Sequence, residues 1–264
     1  MQELTNFHTH TQLCKHAFGS PYDYVKIANS QNCTCLGFSD HCPYPENFYD
    51  YWQDIRMSKE EIPVYLEWIS QAKQIANFPV YTGYECEWDY SIKEWYVELK
   101  EKHGAQYLAL GPHWVTVNNQ HIYILNVKET SLLNAYTDQL IQGMESGIFS
   151  FVAHPDLFMA GYKEWDSQSK SMAKAIIQAA KTFDIPLEIN GLGMHRNKLL
   201  TSKGERFQYP YLEFWQMAAD ENVKIICNSD AHNPADVIKN KLQAKDFALS
   251  LGITPLDYPA DLTK

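Results

Sequence analysis

Short β-type runs alternate with longer helical patterns from one end of the chain to the other, and this alternation restricts the fold more than any other feature. The runs are "LTNFH" (4–8), "CLGFS" (35–39), "VYTGYE" (80–85), "QYLALG" (106–111), "FSFVAH" (149–154), "LEIN" (187–190) and "KIICNS" (224–229). Helical patterns lie between and after them near 21–31, 58–76, 91–103, 129–146, 169–183, 209–221 and 234–250. Ser58 and Glu61 have capping-box spacing, and Pro210 and Pro234 suit first helical turns. Repeated β-then-α units imply a parallel sheet, because right-handed crossovers return each strand beside its predecessor. Closed on itself, the sheet is an α/β barrel of the TIM type with one unit fewer than eight. "QHIYIL" (120–125) is left over after the fourth strand and predicts a short hairpin near the mouth. With 264 residues and no linker or low-complexity segment, residues 1–264 are expected to form one domain.

Parallel barrels carry their chemistry at the carboxyl ends of the strands. Here the first strand runs into His8 and His10, the second into Asp40 and His41, the third into Glu85 and Glu87, and the fourth into His113. The fifth ends at His154 and Asp156, the sixth at Asn190 with His195 and Arg196 just beyond, and the seventh at Asp230 and His232. A lone histidine is ordinarily a hydrogen-bonded core or loop residue, and His103 and His121 fit that description. The rim set taken together predicts a metal site at the C-terminal ends of the strands. Nitrogen and carboxylate donors without a thiolate set suit zinc first, with iron or manganese also fitting. There are more donors than one tetrahedral ion needs, so two or three divalent ions are expected. Clustered ions acidify water and clamp phosphoryl oxygens, which suits hydrolysis at neutral pH.

The formal charge of −10 counts against a phosphate-tracking nucleic-acid binder. The six cysteines are scattered and read as reduced thiols, and no apolar run approaches membrane-spanning length. A cytoplasmic protein with no membrane or nucleic-acid partner is the expectation; oligomeric state is not readable.

In order along the chain, "HTH", "SDH", "GYE", "GPH", "AHPD" and "SDAH" resemble the motifs of the PHP (polymerase and histidinol phosphatase) superfamily. "RMSKEEIPVYLEWISQAKQI", "EING" and "YPYLEFWQMAADENVKIICNSDAH" look like its monofunctional histidinol-phosphate phosphatases. The resemblance implies a distorted (β/α)7 barrel with a trinuclear centre. One ion would be held by His8, His10, Glu85 and Asp230, a second by Glu85, His113 and His154, and a third by His16, His41 and His232. It also implies hydrolysis of L-histidinol phosphate to L-histidinol and phosphate in histidine biosynthesis, the small phosphate ester being the partner. Arg196 is the candidate phosphate clamp, with Arg56 behind it. Asp40 is expected to shuttle a proton or to fix His41. Glu87, Trp114 and Asp156 are candidates for the substrate's imidazole and ammonium. The competing readings are a phosphoesterase acting on another small phosphate or a nucleotide, and a metal-binding module without catalysis. A related amidohydrolase would need a carboxylated lysine at a strand end, where no lysine is suitably placed.

Overall fold

The computed structural model describes residues 3–118, 120–201, 204–259 and 261–262. In chain order the strands are β1 (Thr5–Asn6), β2 (Cys35–His41), β3 (Val80–Cys86), β4 (Tyr107–Leu110), β5 (Trp114–Val117), β6 (Gln120–Tyr123), β7 (Phe151–Val152), β8 (Leu187–Asn190), β9 (Leu199–Thr201), β10 (Gly204–Arg206) and β11 (Ile225–Asn228). The helices are α1 (Pro21–Ser30), α2 (Ile62–Lys73), α3 (Lys93–Glu101), α4 (Thr130–Glu145), α5 (Phe158–Gly161), α6 (Ser167–Thr182), α7 (Leu212–Asp220) and α8 (Lys239–Ser250).

Among the described residues, seven strands form one parallel sheet in the order β1-β2-β3-β4-β7-β8-β11. The ends of the sheet meet through a parallel bridge between Thr9 and Ala231, in which the His10 amide donates to the Ala231 carbonyl at 2.9 Å. The result is a nearly closed, distorted (β/α)7 barrel. The expected hairpin is present as the antiparallel pair β5–β6. A second hairpin, β9–β10, and the single turn α5 have no counterpart in the sequence reading. The Ser58–Glu61 capping box forms. Pro210 does not: it follows a cis peptide after Tyr209 and lies outside α7, while Pro234 opens a 3-10 turn ahead of α8.

Alternation along the strands sorts side chains into two cores. Leu108 and Leu110 face the helices with Leu36, Phe38, Leu187 and Ile189, while Tyr107 and Ala109 fill the barrel floor with Phe7, Cys35, Phe151 and Ile226. The Tyr107 hydroxyl donates to the Phe7 carbonyl at 2.8 Å across the barrel. That ring explains Gly83, where an added Cβ would stand 2.5 Å from Tyr107 Cζ.

Candidate metal centre

The same parity that packs the floor arms the rim. Register pairs Ser39 with Gly83 and His41 with Glu85, so His41 and Glu85 project into the barrel mouth together. Gly111 makes room for them, because a Cβ there would lie 2.5 Å from Glu85 Oε1. His154 and Asp230 reach the mouth from left-handed backbone, at φ 30° and 50°. Such conformations cost of order 1 kcal/mol or more for a side-chain-bearing residue, and they concentrate where function holds them.

The tightest group joins the two ends of the barrel. His8 Nε2 and His10 Nε2 are 3.1 Å apart, and each lies 3.4 Å from Glu85 Oε2. Asp230 Oδ1 is 3.4 Å from His8 Nε2 and 3.2 Å from His10 Nε2. Four ligands at about 2.0–2.1 Å from one ion in a tetrahedron stand roughly 3.3 Å from one another. Five separations in this group match that edge. Asp230 Oδ1 is buried and accepts no hydrogen bond among the described residues, despite its nearness to both rings. This donor set fits a divalent ion.

Two further clusters share the cavity. Glu85 Oε1 is 2.9 Å from His154 Nε2 and 3.7 Å from His113 Nε2, so the two oxygens of one carboxylate face different imidazole sets. His16 Nε2 and His232 Nε2 stand 2.9 Å apart, and the His41 ring stacks on His16. His41 Nδ1 is itself 3.2 Å from Glu85 Oε2, which links this cluster to the first. Cys14, set aside in the sequence reading with the other cysteines, offers Sγ within 4.8 Å of ring nitrogens of His10 and His232.

The electrostatics match a site assembled for positive charge. Burial works against ionisation of Glu85 and Asp230, yet the surrounding imidazoles, His8 foremost, hold both carboxyls well below the usual carboxylate range. Burial likewise opposes charge on His8 and His10, and the carboxylates, Asp230 first, outweigh it and raise both. On His41 and His232 burial prevails over the adjacent carboxylates and, with His10 adding to it, pushes His41 well down and His232 to about 3.

Several residues expected to meet substrate do other work. Asp40 has the opposite strand parity to His41 and is fully buried outside the barrel mouth. It accepts from the amide and hydroxyl of Thr11, and its nearest imidazole is His10, at 3.9 Å, rather than His41. Glu87 does not line the cavity; its oxygens take the His113 amide at 3.0 Å and His113 Nδ1 at 2.6 Å. Asp156 is fully buried beneath α7, accepting from the Tyr211 amide at 2.6 Å and Trp215 Nε1 at 2.9 Å. Arg56 is buried, donating to the Cys42 carbonyl and lying 3.3 Å from Asp50 and over the Tyr44 ring. Trp114 stands behind the cavity wall in a cluster with Trp52 and Tyr123. Arg196 alone of the substrate candidates lines the cavity, which Tyr209 lines as well. His195 turns away to Gln243, His121 stacks on Tyr51, and His103 sits 3.6 Å from Glu98.

Glu188 is the residue the sequence reading missed. Wholly buried in β8, it accepts from His8 Nδ1 at 2.9 Å, the His154 amide at 3.0 Å, Asn190 Nδ2 at 2.9 Å and Asn228 Nδ2 at 3.0 Å. Its signal was a carboxylate inside "LEIN", a strand otherwise too apolar to leave it unpaired.

Likeness to known proteins agrees with this geometry. A probable histidinol-phosphatase from Deinococcus radiodurans is 26% identical over 246 residues, covering 90% of this chain and 89% of that protein. A probable phosphatase from Shewanella amazonensis is 24% identical over 260 residues, covering 98% and 86%. The crystal structure of histidinol phosphate phosphatase from Lactococcus lactis, complexed with zinc, L-histidinol and phosphate, superposes with a TM-score of 0.73 at 15% identity, covering 96% of this chain and 95% of that one. The PHP domain model matches residues 6–191, a span that takes in every candidate ligand except Asp230 and His232 just after the last strand. The chain belongs to the PHP domain family.

Proposed function

We propose that this protein is a metal-dependent phosphatase that hydrolyses L-histidinol phosphate to L-histidinol and phosphate. The observation that carries the reading is Glu85, whose two oxygens address separate histidine clusters on the wall of a cavity of about 480 Å³ that also holds Arg196. The named activities of the Deinococcus and Lactococcus proteins support the same substrate.

His8, His10, Glu85 and Asp230 would hold one ion, Glu85, His113 and His154 a second, and His16, His41 and His232 a third, with zinc the favoured metal. Bound ions supply charge neutralisation for the phosphoryl oxygens and a more acidic water at neutral pH. The protein's own part is positioning, which is most of what phosphoryl transfer asks of it. Arg196 can grip two phosphate oxygens at once, and Tyr209 favours its charged form. Glu188 and Glu87 accept hydrogen bonds from Nδ1–H of His8 and His113 and so turn Nε2 of each ring, as an acceptor, toward Glu85. Asp40 fixes the turn after β1 through Thr11, and so sets where His10 stands.

The test is phosphate release from L-histidinol phosphate by protein of measured metal content, before and after chelation and after zinc is returned. Release that is lost and regained is expected. Absence of release from metal-replete protein overturns the assignment.

A further inference from the structure

Glu87, absent from the wall of the main cavity, lines a second and much smaller one of about 10 Å³. Glu87 and Trp88 enter its wall from the end of β3, Trp114 from β5, and Tyr136 and Gln139 from α4; the rest of the lining is apolar. Three polar atoms of these residues are buried and make no hydrogen bond among the described residues: Trp88 Nε1, Trp114 Nε1 and Tyr136 Oη. Gln139 spends its amide elsewhere, accepting from the Thr116 amide at 3.1 Å and donating to the Thr116 carbonyl at 2.8 Å. Glu87 is the remaining polar group. It is itself buried, and the side-chain hydrogen bonds it accepts among the described residues both come from His113. A carboxylate has about four acceptor sites, so Glu87 has capacity to spare. Burial raises the Tyr136 phenol well above its usual pKa and the charges of Asp156 and Glu87 add to the rise, which puts the phenol in the field of Glu87.

Leaving one buried donor unpaired is costly, and here three open groups meet on one cavity. Size and polarity decide what answers them. A volume of about 10 Å³ is the least that admits a single water, and it admits nothing larger. Indole N–H groups only donate, which rejects a cation, and a carboxylate only accepts, which rejects an anion. Water accepts from both indoles and gives its two hydrogens to Glu87 and to the Tyr136 oxygen, so every open group is met. We infer that this cavity is a site for one ordered water, through which Tyr136, Trp88 and Trp114 hold the Glu87 carboxylate against His113. Tyr136, on a helix outside the barrel, is then a positioning residue for the rim. The water site stands on its own, whereas its effect on the centre rests on the phosphatase reading, in which His113 holds an ion.

Two measurements test it. A high-resolution crystal structure should show one density peak within about 3.2 Å of both indole nitrogens, the Tyr136 oxygen and an oxygen of Glu87. A cavity without that peak overturns the inference. The second measurement is a competition titration of zinc against a chelator. Tyr136→Phe keeps the ring and removes one of the four partners, and it should weaken zinc binding by about threefold to tenfold, the scale of one lost hydrogen bond, with helix content unchanged. In the Glu87→Ala background, where there is no carboxylate to hold, the same substitution should leave zinc affinity within about twofold of the Glu87→Ala parent. No loss in either background, or an equal loss in both, would overturn the hold on Glu87. Wild-type crystals that show the water, from protein that binds no zinc and releases no phosphate from L-histidinol phosphate, would remove the phosphatase reading and leave the water site standing. Zinc binding and phosphate release by protein whose small cavity holds no water would do the reverse.

Discussion

At the scale of single residues, the rim divides into side chains that face the cavity and side chains that aim them. Glu188 belongs to the second kind. Glu188→Gln would offer His8 Nδ1 one neutral acceptor in place of a carboxylate, and such changes typically weaken metal binding by about 10–100-fold. A competition titration of zinc against a chelator should show that loss, with helix content unchanged by circular dichroism. Arg196→Ala should raise KM for histidinol phosphate while metal content stays at the wild-type level. Arg196→Lys should recover little of it, since an ammonium lacks the planar fork. The histidines and carboxylates at the strand ends were readable from sequence because one rule, chemistry at the carboxyl ends, applied to every strand. Asp40 and Glu188 were misplaced or missed because strand parity, which decides which way they point, depends on register with neighbours: His41 opposite Glu85, Asn228 opposite Asn190.

Among the elements, α7 and α8 depart furthest from their sequence signatures. Asp156 serves α7, accepting from the Tyr211 amide and the Trp215 indole while fully buried. Asp156→Ala strands two buried donors and should cost about 2–5 kcal/mol, read as a lower urea midpoint at constant m. A substrate contact would instead change KM at unchanged stability. Helix α8 buries Asn240, Lys241 and Lys245 beside Ala244 and Ala248, so its inner face carries charge where an amphipathic pattern has leucines. Lys241 donates to the Cys227 carbonyl, and burial lowers its pKa from the usual 10.5. The native state therefore holds this proton less tightly than the unfolded chain does. Its contribution to stability rises with pH through the window between the lowered value and 10.5. Urea unfolding of the metal-free protein between about pH 7 and pH 10 should show that rise in wild type. Lys241→Met should lack it, and identical slopes would remove Lys241 as its source. The strand-and-helix alternation was readable because it is periodic. The β9–β10 hairpin was not, because its short strands pair only with each other and carry no longer pattern.

Across the whole molecule, the barrel's seam and its tightest ligand group coincide. Thr9 bridges Ala231, and one residue away on either side His8, His10 and Asp230 converge with Glu85. An ion there would tie the first strand to the last, so its removal should loosen closure as well as abolish activity. A ligand present at about a thousand times its dissociation constant adds about 4 kcal/mol to the folded state. Chelation should accordingly lower Tm, and returned zinc should restore it; an unchanged Tm would separate the ions from the seam.

That seam also sets an order of events during synthesis. Asp230 and His232 leave the ribosome some two hundred residues after His8 and His10. A nascent or prematurely ended chain lacks the carboxylate that completes the first group. Metal taken up by His8, His10, Glu85 and Asp230 together would therefore mark a chain made through the last strand of the sheet.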